Sequence, residues 1–196
     1  MDVPLTLAEE LLLLTGDNGG KPLAWRLHYG VAGALLADLD MAGRLGYSPE
    51  RWVTVTDAEP TGDDELDAVL AEIASDRPQS MEYWVRELVS VQRTGRLAGR
   101  LGDHSDHRAW RAQLRSRVTR TIQGLSSGDD RAECLGAIIG ACGLAAKVFP
   151  NLDRRGLKRR MAELSSGQRV AAAVRDATGQ ARLRAWLPRW TDFIVP

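Results

Sequence analysis

Apolar residues recur along much of the chain at the three- and four-residue spacing of amphipathic helices. From Leu27 to Leu39 every fourth residue is leucine or valine, and Gly30 and Gly33 lie between them. At this spacing the large side chains share one face, while the small residues let a neighbouring backbone approach closely. The pattern predicts a tightly packed helix from Leu27 to Leu45.

Helix start and stop signals divide most of the remaining chain. Thr6 and Glu9 form a capping-box pattern before a leucine-rich run that ends at Gly16. The other predicted helices span residues 66–73, 80–91, 106–125, 135–148 and 154–164, and further helical material follows. The segment 135–148 is apolar on every side apart from Lys147, which is typical of a helix surrounded by others.

Only residues 51–56 favour a strand, because this segment is β-branched. No second segment of equal strength is available to pair with it. We therefore predict an all-α fold with at most a minor β element near residues 51–56. The length of 196 residues suits one domain spanning 1–196.

The composition is ordinary for a globular protein, with 44% hydrophobic and 27% charged residues. No apolar run approaches the roughly 18 residues of a membrane-spanning helix, and Asp2 stands where a leader peptide would carry bases. Cys134 and Cys142 lie eight residues apart in one predicted helix, about 12 Å, which is too far for a disulfide. We expect a cytoplasmic protein with reduced cysteines, either free or peripheral at a membrane.

The formal net charge of zero conceals an uneven distribution. Residues 1–80 carry 15 acidic and 5 basic residues, a net charge of −10, whereas residues 81–196 carry 11 acidic and 21 basic residues, a net charge of +10. Such a division commonly indicates a surface for an anionic partner, whether membrane, phosphate or nucleic acid. The alternative is an arginine-rich coding bias, since only Lys21, Lys147 and Lys158 are lysines.

Candidate catalytic and metal-binding residues are sparse. The chain has no nucleophile elbow, phosphate-cradling loop or dinucleotide-binding glycine motif. Residues 103–107 contain two histidines and two aspartates, which suit a metal or proton-transfer site, but this pattern is more typical of a solvated loop that caps the next helix. The only other histidine is His28. We predict no catalytic residues, no metal site and no cofactor.

Five residues are candidates for contact with a lipid or phosphate. Arg93, Arg96 and Arg100 are spaced so that in a helix they share one face and jointly bind a phosphate. Trp25 beside Arg26 provides an amphipathic anchor for a lipid interface, although a lone tryptophan is more often partly buried packing.

Three segments resemble the Golgi phosphoprotein 3 family, which includes many bacterial proteins. They are Leu5–Leu13, Gly30–Leu45 and the segment from Pro60-Thr61-Gly62-Asp63 to Asp67. The likeness is strong over residues 5–75 and moderate over 108–165, where the chain is similar to the bacterial branch. It implies a central helical bundle surrounded by amphipathic helices, and a peripheral membrane protein that binds phosphatidylinositol 4-phosphate.

In eukaryotic members a tryptophan and three arginines hold the headgroup, and a hydrophobic hairpin assists membrane contact. The tryptophan position falls on Leu23, two residues from Trp25, and the first arginine position falls on Ala32. The remaining Arg-x-x-Arg pair matches Arg93 and Arg96. The chain is shorter than the eukaryotic pattern between helices 80–91 and 106–125, which implies that the hairpin is absent.

Three functional hypotheses follow. The first is a peripheral binder of anionic phospholipid headgroups, in which the arginines of segment 93–100 and of the basic helix at Arg108, Arg111 and Arg115 face phosphates. The second is a cytoplasmic adaptor that binds a protein partner or assembles as a homo-oligomer. The third is an enzyme with an unrecognised site, using His28, Tyr29 or residues 103–107. We predict no nucleic-acid partner.

Overall fold

The computed structural model describes residues 5–16, 25–102, 108–126 and 128–186. These residues form ten helices and one three-stranded sheet, which confirms the predicted all-α fold with a minor β element. The helices are α1 (Leu7–Thr15), α2 (Trp25–Met41), α3 (Asp64–Ser75), α4 (Met81–Glu87), α5 (Val91–Arg100), α6 (Arg108–Ile122), α7 (Asp130–Ala141), α8 (Ala145–Val148), α9 (Arg154–Gly167) and α10 (Arg169–Trp186). The strands are β1 (Leu45–Tyr47), β2 (Trp52–Val55) and β3 (Gln79–Ser80).

Helix α1 begins and ends where its capping signals predict. The Thr6 hydroxyl accepts the Glu9 amide at 3.2 Å, and the Glu9 carboxylate accepts the Thr6 amide at 2.8 Å. Gly16 ends the helix. All nine residues of α1 are buried, including Glu9 and Glu10, so this helix lies inside the bundle and brings two carboxylates with it.

Helix α2 packs closely against α10 and the end of α7, as its small residues predict. A methyl group at Gly33 would lie 2.3 Å from Cγ2 of Val174 on α10. A methyl group at Gly30 would lie 2.7 Å from Sγ of Cys142. Because real carbon contacts are never this short, both close approaches depend on glycine.

The minor sheet is antiparallel and includes the predicted strand. Leu45 pairs with Val55 across β1 and β2, and Trp52 pairs with Ser80 across β2 and β3. The prediction that α2 reaches Leu45 is wrong: the helix ends at Met41, and Gly43, with φ of +70°, reverses the chain into β1. The partner strands β1 and β3 have three and two residues, which are too few to show the alternation of polar and apolar residues that predicts a strand.

Two predicted helices end earlier than predicted, and each is followed by another helix. The segment 135–148 breaks after α7 because Gly143 takes a φ of +69°, and α8 follows. The segment 80–91 ends as α4, and Ser90 then caps α5 by accepting the Arg93 amide at 3.1 Å. Hydrophobic spacing continues across both breaks, which is why spacing alone missed them. Helix α9 also runs three residues past its predicted end, to Gly167.

Both cysteines are free and buried, as predicted. Burial raises the pKa of the Cys134 and Cys142 thiols to about 12. They are therefore neutral thiols near pH 7, and they pack as small apolar side chains.

Gly33→Ala should lower the free energy of unfolding by about 2 kcal/mol, because the added methyl group overpacks the contact with Val174. Gly95→Ala, on α5 with no atom within 4 Å of the new methyl group, should instead raise it by about 0.5 to 1 kcal/mol. Urea denaturation of both variants tests the contrast. Equal effects would contradict the close approach of α2 and α10.

Candidate functional site

The three candidate phosphate-binding arginines lie on one face of α5, as predicted, but this face is turned towards carboxylates. Arg93 is only 7% exposed. Its guanidinium forms ion pairs with Glu65, at 3.4 Å, and with Glu72, and it donates to the Leu88 carbonyl at 3.0 Å. The side chain of Arg93 therefore holds α3 and the end of α4 to the start of α5.

Arg96 and Arg100 are also paired. Arg96 donates to both oxygens of Glu65, at 2.5 and 3.1 Å, and this hydrogen bonding lowers the pKa of Glu65. Arg100 forms ion pairs with Glu9 at 3.0 Å and with Asp63. Burial alone would raise the pKa of Asp63, but the hydrogen bond from Arg100 lowers it. The three arginines thus meet four carboxylates, which neutralise their charge at this face.

A second charged network surrounds the other buried glutamate of α1. Arg131 on α7 contacts Glu10 at 3.3 Å and Asp38 at 2.8 Å, and it donates to the Leu5 carbonyl at 2.6 Å. Arg117 on α6 contacts Glu10 at 3.4 Å. Charged groups from four helices therefore meet beside α1.

These two networks give a structural explanation for the uneven charge of the chain. Apart from Asp129, which contacts Arg117 at 3.3 Å, the carboxylates come from the first 80 residues, and the guanidinium groups come from the rest. The acidic members are Glu9, Glu10, Asp38, Asp63, Glu65 and Glu72, and the basic members are Arg93, Arg96, Arg100, Arg117 and Arg131. Ion pairs within the fold thus neutralise part of the charge difference between the two parts of the chain.

Arg111 does not face solvent, contrary to the prediction for the basic helix α6. It is 6% exposed and donates from Nε to the Leu13 carbonyl at 2.8 Å, near the C-terminal end of α1. Trp110 has helical spacing with the buried Leu114 and Val118, which predicts a shared apolar stripe, but it is 49% exposed. At this end of α6 the buried face therefore includes Arg111 in place of Trp110, because the last carbonyls of α1 attract a cation.

Trp25 and Arg26 form an aromatic and cationic pair in the first turn of α2, in which Trp25 is exposed and Arg26 is half-buried. Trp25 is 45% exposed, with the guanidinium carbon of Arg26 at 5.3 Å from its ring centroid and the ring of Tyr29 edge-on at 5.7 Å. Arg26 also lies against Gly143, beyond the C-terminal end of α7. No carboxylate among the described residues forms an ion pair with Arg26. Trp25 has the exposure that the lipid-anchor interpretation requires.

His28 has a packing role in the structure. Thr94 donates its hydroxyl to the Ser90 carbonyl at 2.9 Å, so the His28 Nδ1–H donates to the Thr94 hydroxyl at 2.9 Å and links α2 to α5. Burial lowers the pKa of His28. Residues 103–107 lie outside the described residues. Within the described part of the chain, no three His, Cys, Asp or Glu residues are grouped as a metal site.

The most strongly basic exposed region follows Gly143, and we call residues 143–160 the basic segment. It contains six basic residues and one acidic residue, Asp153, which caps α9 by accepting the Gly156 amide at 2.6 Å. Arg160 pairs with Glu163 at 3.1 Å. Five exposed bases form no ion pair with any described residue: Lys147, Arg154, Arg155, Lys158 and Arg159. The clustering is visible in the sequence, but spacing alone does not show which bases stay unpaired.

The described chain is thus a predominantly helical protein with a buried charged interior and a separate basic surface. A model of the Golgi phosphoprotein 3 (GPP34) family matches residues 7–106 and 100–181. The chain belongs to this family, as its motifs predict. No curated protein matches the chain. Within the described residues, no helix has both the length and the hydrophobicity needed to cross a bilayer.

Arg93→Met should lower the free energy of unfolding by about 3 kcal/mol, because it leaves the buried Glu65 carboxylate with one fewer partner and the Leu88 carbonyl without its donor. Arg159→Met, at an exposed and unpaired position, should leave stability unchanged. Urea denaturation measures both. A small loss for Arg93→Met would mean that α5 does not depend on this contact.

Asp38 should make stability depend on pH. Burial raises the pKa of Asp38 from its ordinary 3.8 to about 6, although Arg131 and the Leu7 amide favour the charged form. Because the folded state binds this proton more tightly, the contribution of Asp38 to stability is complete below pH 4 and is lost as the pH rises through about 6. Asp38→Asn should therefore gain about 2 kcal/mol relative to the parent protein between pH 4 and pH 7. Denaturation across this range tests the sign, and a pH-independent difference would refute it.

Proposed function

We propose that the protein binds anionic phospholipid headgroups as a peripheral membrane protein, and that the basic segment, with Trp25 and Arg26, forms the membrane-facing surface. Membership of the GPP34 family supports a phosphoinositide-directed or membrane-associated role. The observation that carries the proposal is the contrast between two sets of bases. Those of α5 are paired with carboxylates, whereas five of the six in the basic segment are exposed and form no ion pair with any described residue.

The unpaired bases provide enough attraction for reversible binding. Near an anionic surface each Lys or Arg contributes about 1 kcal/mol, so five contribute about 5 kcal/mol. This attraction falls with salt, because the Debye length is about 10 Å at 0.1 M ionic strength. An arginine paired with a buried carboxylate contributes less, since the carboxylate repels the same phosphate.

Trp25 and Arg26 extend this surface towards the start of α2. Arg26 lies against the Gly143 turn at which the basic segment begins, and α8 packs against α9. An indole favours the interfacial region of a bilayer, and a guanidinium stacked on it remains available to a phosphate. In the proposal, Trp25 inserts at the headgroup level while the bases hold the negative surface.

Selectivity in this proposal is for negative charge and not for one headgroup. The family resemblance assigns Arg93 and Arg96 to a phosphoinositide, and helical spacing adds Arg100 to the same face. At this face three guanidinium groups meet four carboxylates, so the face carries no excess positive charge. We infer that these arginines mainly hold α5 in place.

Neutralising four bases of the basic segment should reduce binding to anionic vesicles by about 1000-fold, at about 1 kcal/mol per base. The variant is Arg154→Gln, Arg155→Gln, Lys158→Gln and Arg159→Gln together. Its matched control removes four exposed bases elsewhere, by Arg77→Gln, Arg108→Gln, Arg120→Gln and Arg182→Gln. Flotation with phosphatidylcholine vesicles containing phosphatidylglycerol or phosphatidylinositol 4-phosphate, at low and moderate salt, measures both.

The control variant should bind anionic vesicles nearly as well as the parent protein. Equal losses in the two variants would show that net charge alone matters and would reject the proposed surface. If the first variant loses binding to phosphatidylglycerol vesicles but still binds vesicles with phosphatidylinositol 4-phosphate, the headgroup binds at α5. No binding of the parent protein at either salt would reject the membrane function and favour a protein partner.

A further inference from the structure

The outer face of α3 carries an apolar groove, on residues that the proposed membrane surface does not use. Its volume is about 510 Å³. Buried Leu70 lines the groove together with exposed Ala58, Pro60, Ala71 and Ala74. Small side chains on an exposed helix face allow a second helix to approach closely, because the distance between packed helices depends on the side chains at the contact.

Acidic residues dominate the surroundings of this groove. Residues 57–77 contain eight acidic residues and a single base, Arg77. Four of the acids form ion pairs within the fold, with Arg44, Arg93, Arg96 and Arg100. The other four form no ion pair with any described residue: Glu59, Asp64, Asp67 and Asp76. We call residues 57–76, with the groove that they line, the acidic groove.

Asp67 places one of these charges in the groove itself. Its carboxylate lines the groove and accepts both the Thr61 amide and the Thr61 hydroxyl, each at 2.6 Å. The hydroxyl hydrogen bond lowers the pKa of Asp67, so this group is a carboxylate at neutral pH. Asp64 and Ala71 lie three residues before and four residues after it, and the three therefore share one face of α3. The groove thus suits a partner that is basic and helical.

The basic segment of the same chain has the complementary properties. Arg154 and Lys158 are four residues apart on α9, as are Arg155 and Arg159, so these bases form two adjacent rows on one face. All four are exposed. The alkyl stems of such side chains cover apolar surface while their charged ends reach nearby carboxylates. Five unpaired bases in the basic segment thus match four unpaired acids in the acidic groove.

The two surfaces belong to different parts of one molecule. Helix α3 packs mainly against α2 and β2, whereas α9 packs against α6, α7, α8 and α10. The two helices share none of these neighbours, and α2 with α7 and α10 lies between them. A basic segment fixed in this position can therefore meet an acidic groove only on another copy.

We propose that the acidic groove binds the basic segment of a second copy of this chain, so that the protein self-associates head to tail. Because the two surfaces differ, the contact is heterologous, and it continues from copy to copy as a ring or a chain. Exposed ion pairs are individually weak, so the association should be reversible and sensitive to salt. The contact uses bases that the proposed function assigns to the membrane, and anionic vesicles should compete with it. Only this competition rests on the proposed function.

Sedimentation velocity of the full chain without lipid tests the self-association. At about 0.05 M salt the average sedimentation coefficient should rise over about a hundredfold range of protein concentration. At about 1 M salt, where the Debye length is about 3 Å, the rise should disappear.

Two charge reversals test the two surfaces separately. Glu59→Lys with Asp64→Lys reverses the acidic groove, and Arg155→Glu with Arg159→Glu reverses the basic segment. Each double variant should weaken self-association by about tenfold or more, because like charges then face each other. Each also keeps one intact surface. A mixture of the two variants should therefore associate although neither variant associates with itself.

The matched control is Glu50→Lys with Glu87→Lys. Both acids are exposed, lie outside the acidic groove and form no ion pair with any described residue. This variant should change self-association less than about twofold, since exposed charges away from a contact are largely screened. An equal loss in the control would show that net charge alone matters and would overturn the proposal.

Flotation of the groove variant with phosphatidylglycerol vesicles separates this contact from the membrane function. Because the basic segment is unchanged, the variant should bind vesicles as well as the parent protein. A parent protein that self-associates but does not bind vesicles would reject the membrane function alone. A parent protein that stays monomeric at low salt would overturn the self-association and leave the groove to a basic partner protein. A mixture of the two reversal variants that stays monomeric would overturn it as well.

Discussion

The buried glutamates of α1 impose the constraint on which the rest of the structure depends. Glu9 and Glu10 enter the interior on a helix with no exposed residue, and an unpaired buried carboxylate would cost several kcal/mol. Arg100 from α5 meets Glu9, and Arg131 from α7, together with Arg117 from α6, meets Glu10. Each contact joins residues far apart in the chain, so correct charge pairing requires the correct arrangement of helices.

This pairing divides the basic residues of the protein into two groups with different consequences. Arginines that neutralise buried acids hold the bundle together and are poorly suited to bind an external anion. Five of the six bases of residues 143–160 are exposed and form no ion pair among the described residues, and Arg26 of α2 lies against Gly143, where this segment begins. In the proposed function, an anionic partner is therefore attracted to the outside of the bundle, and the interior network need not open to admit it.

Local signals predicted local structure well, because a cap or a turn is decided by a few neighbouring residues. The capping box of Thr6 and the turn at Pro60-Thr61-Gly62-Asp63 before α3 are examples. The family motifs are also short runs of neighbouring residues. The spacing of Arg93, Arg96 and Arg100 correctly predicted a shared helical face. It could not predict that the face opposes Glu65 and its neighbours, since the opposing residues come from distant segments. The unpaired state of the basic segment likewise emerges only from the assembled fold.

Hydrogen–deuterium exchange of the full chain, with and without vesicles of phosphatidylcholine and phosphatidylglycerol, tests this division most directly. Membrane contact slows exchange where backbone amides are covered, and peptide resolution separates residues 143–160 from α5. We expect slower exchange in residues 143–160 and in the first turn of α2, with no change in α5. Protection centred on Val91–Arg100, with residues 143–160 unchanged, would contradict the account and assign anion binding to the paired arginines.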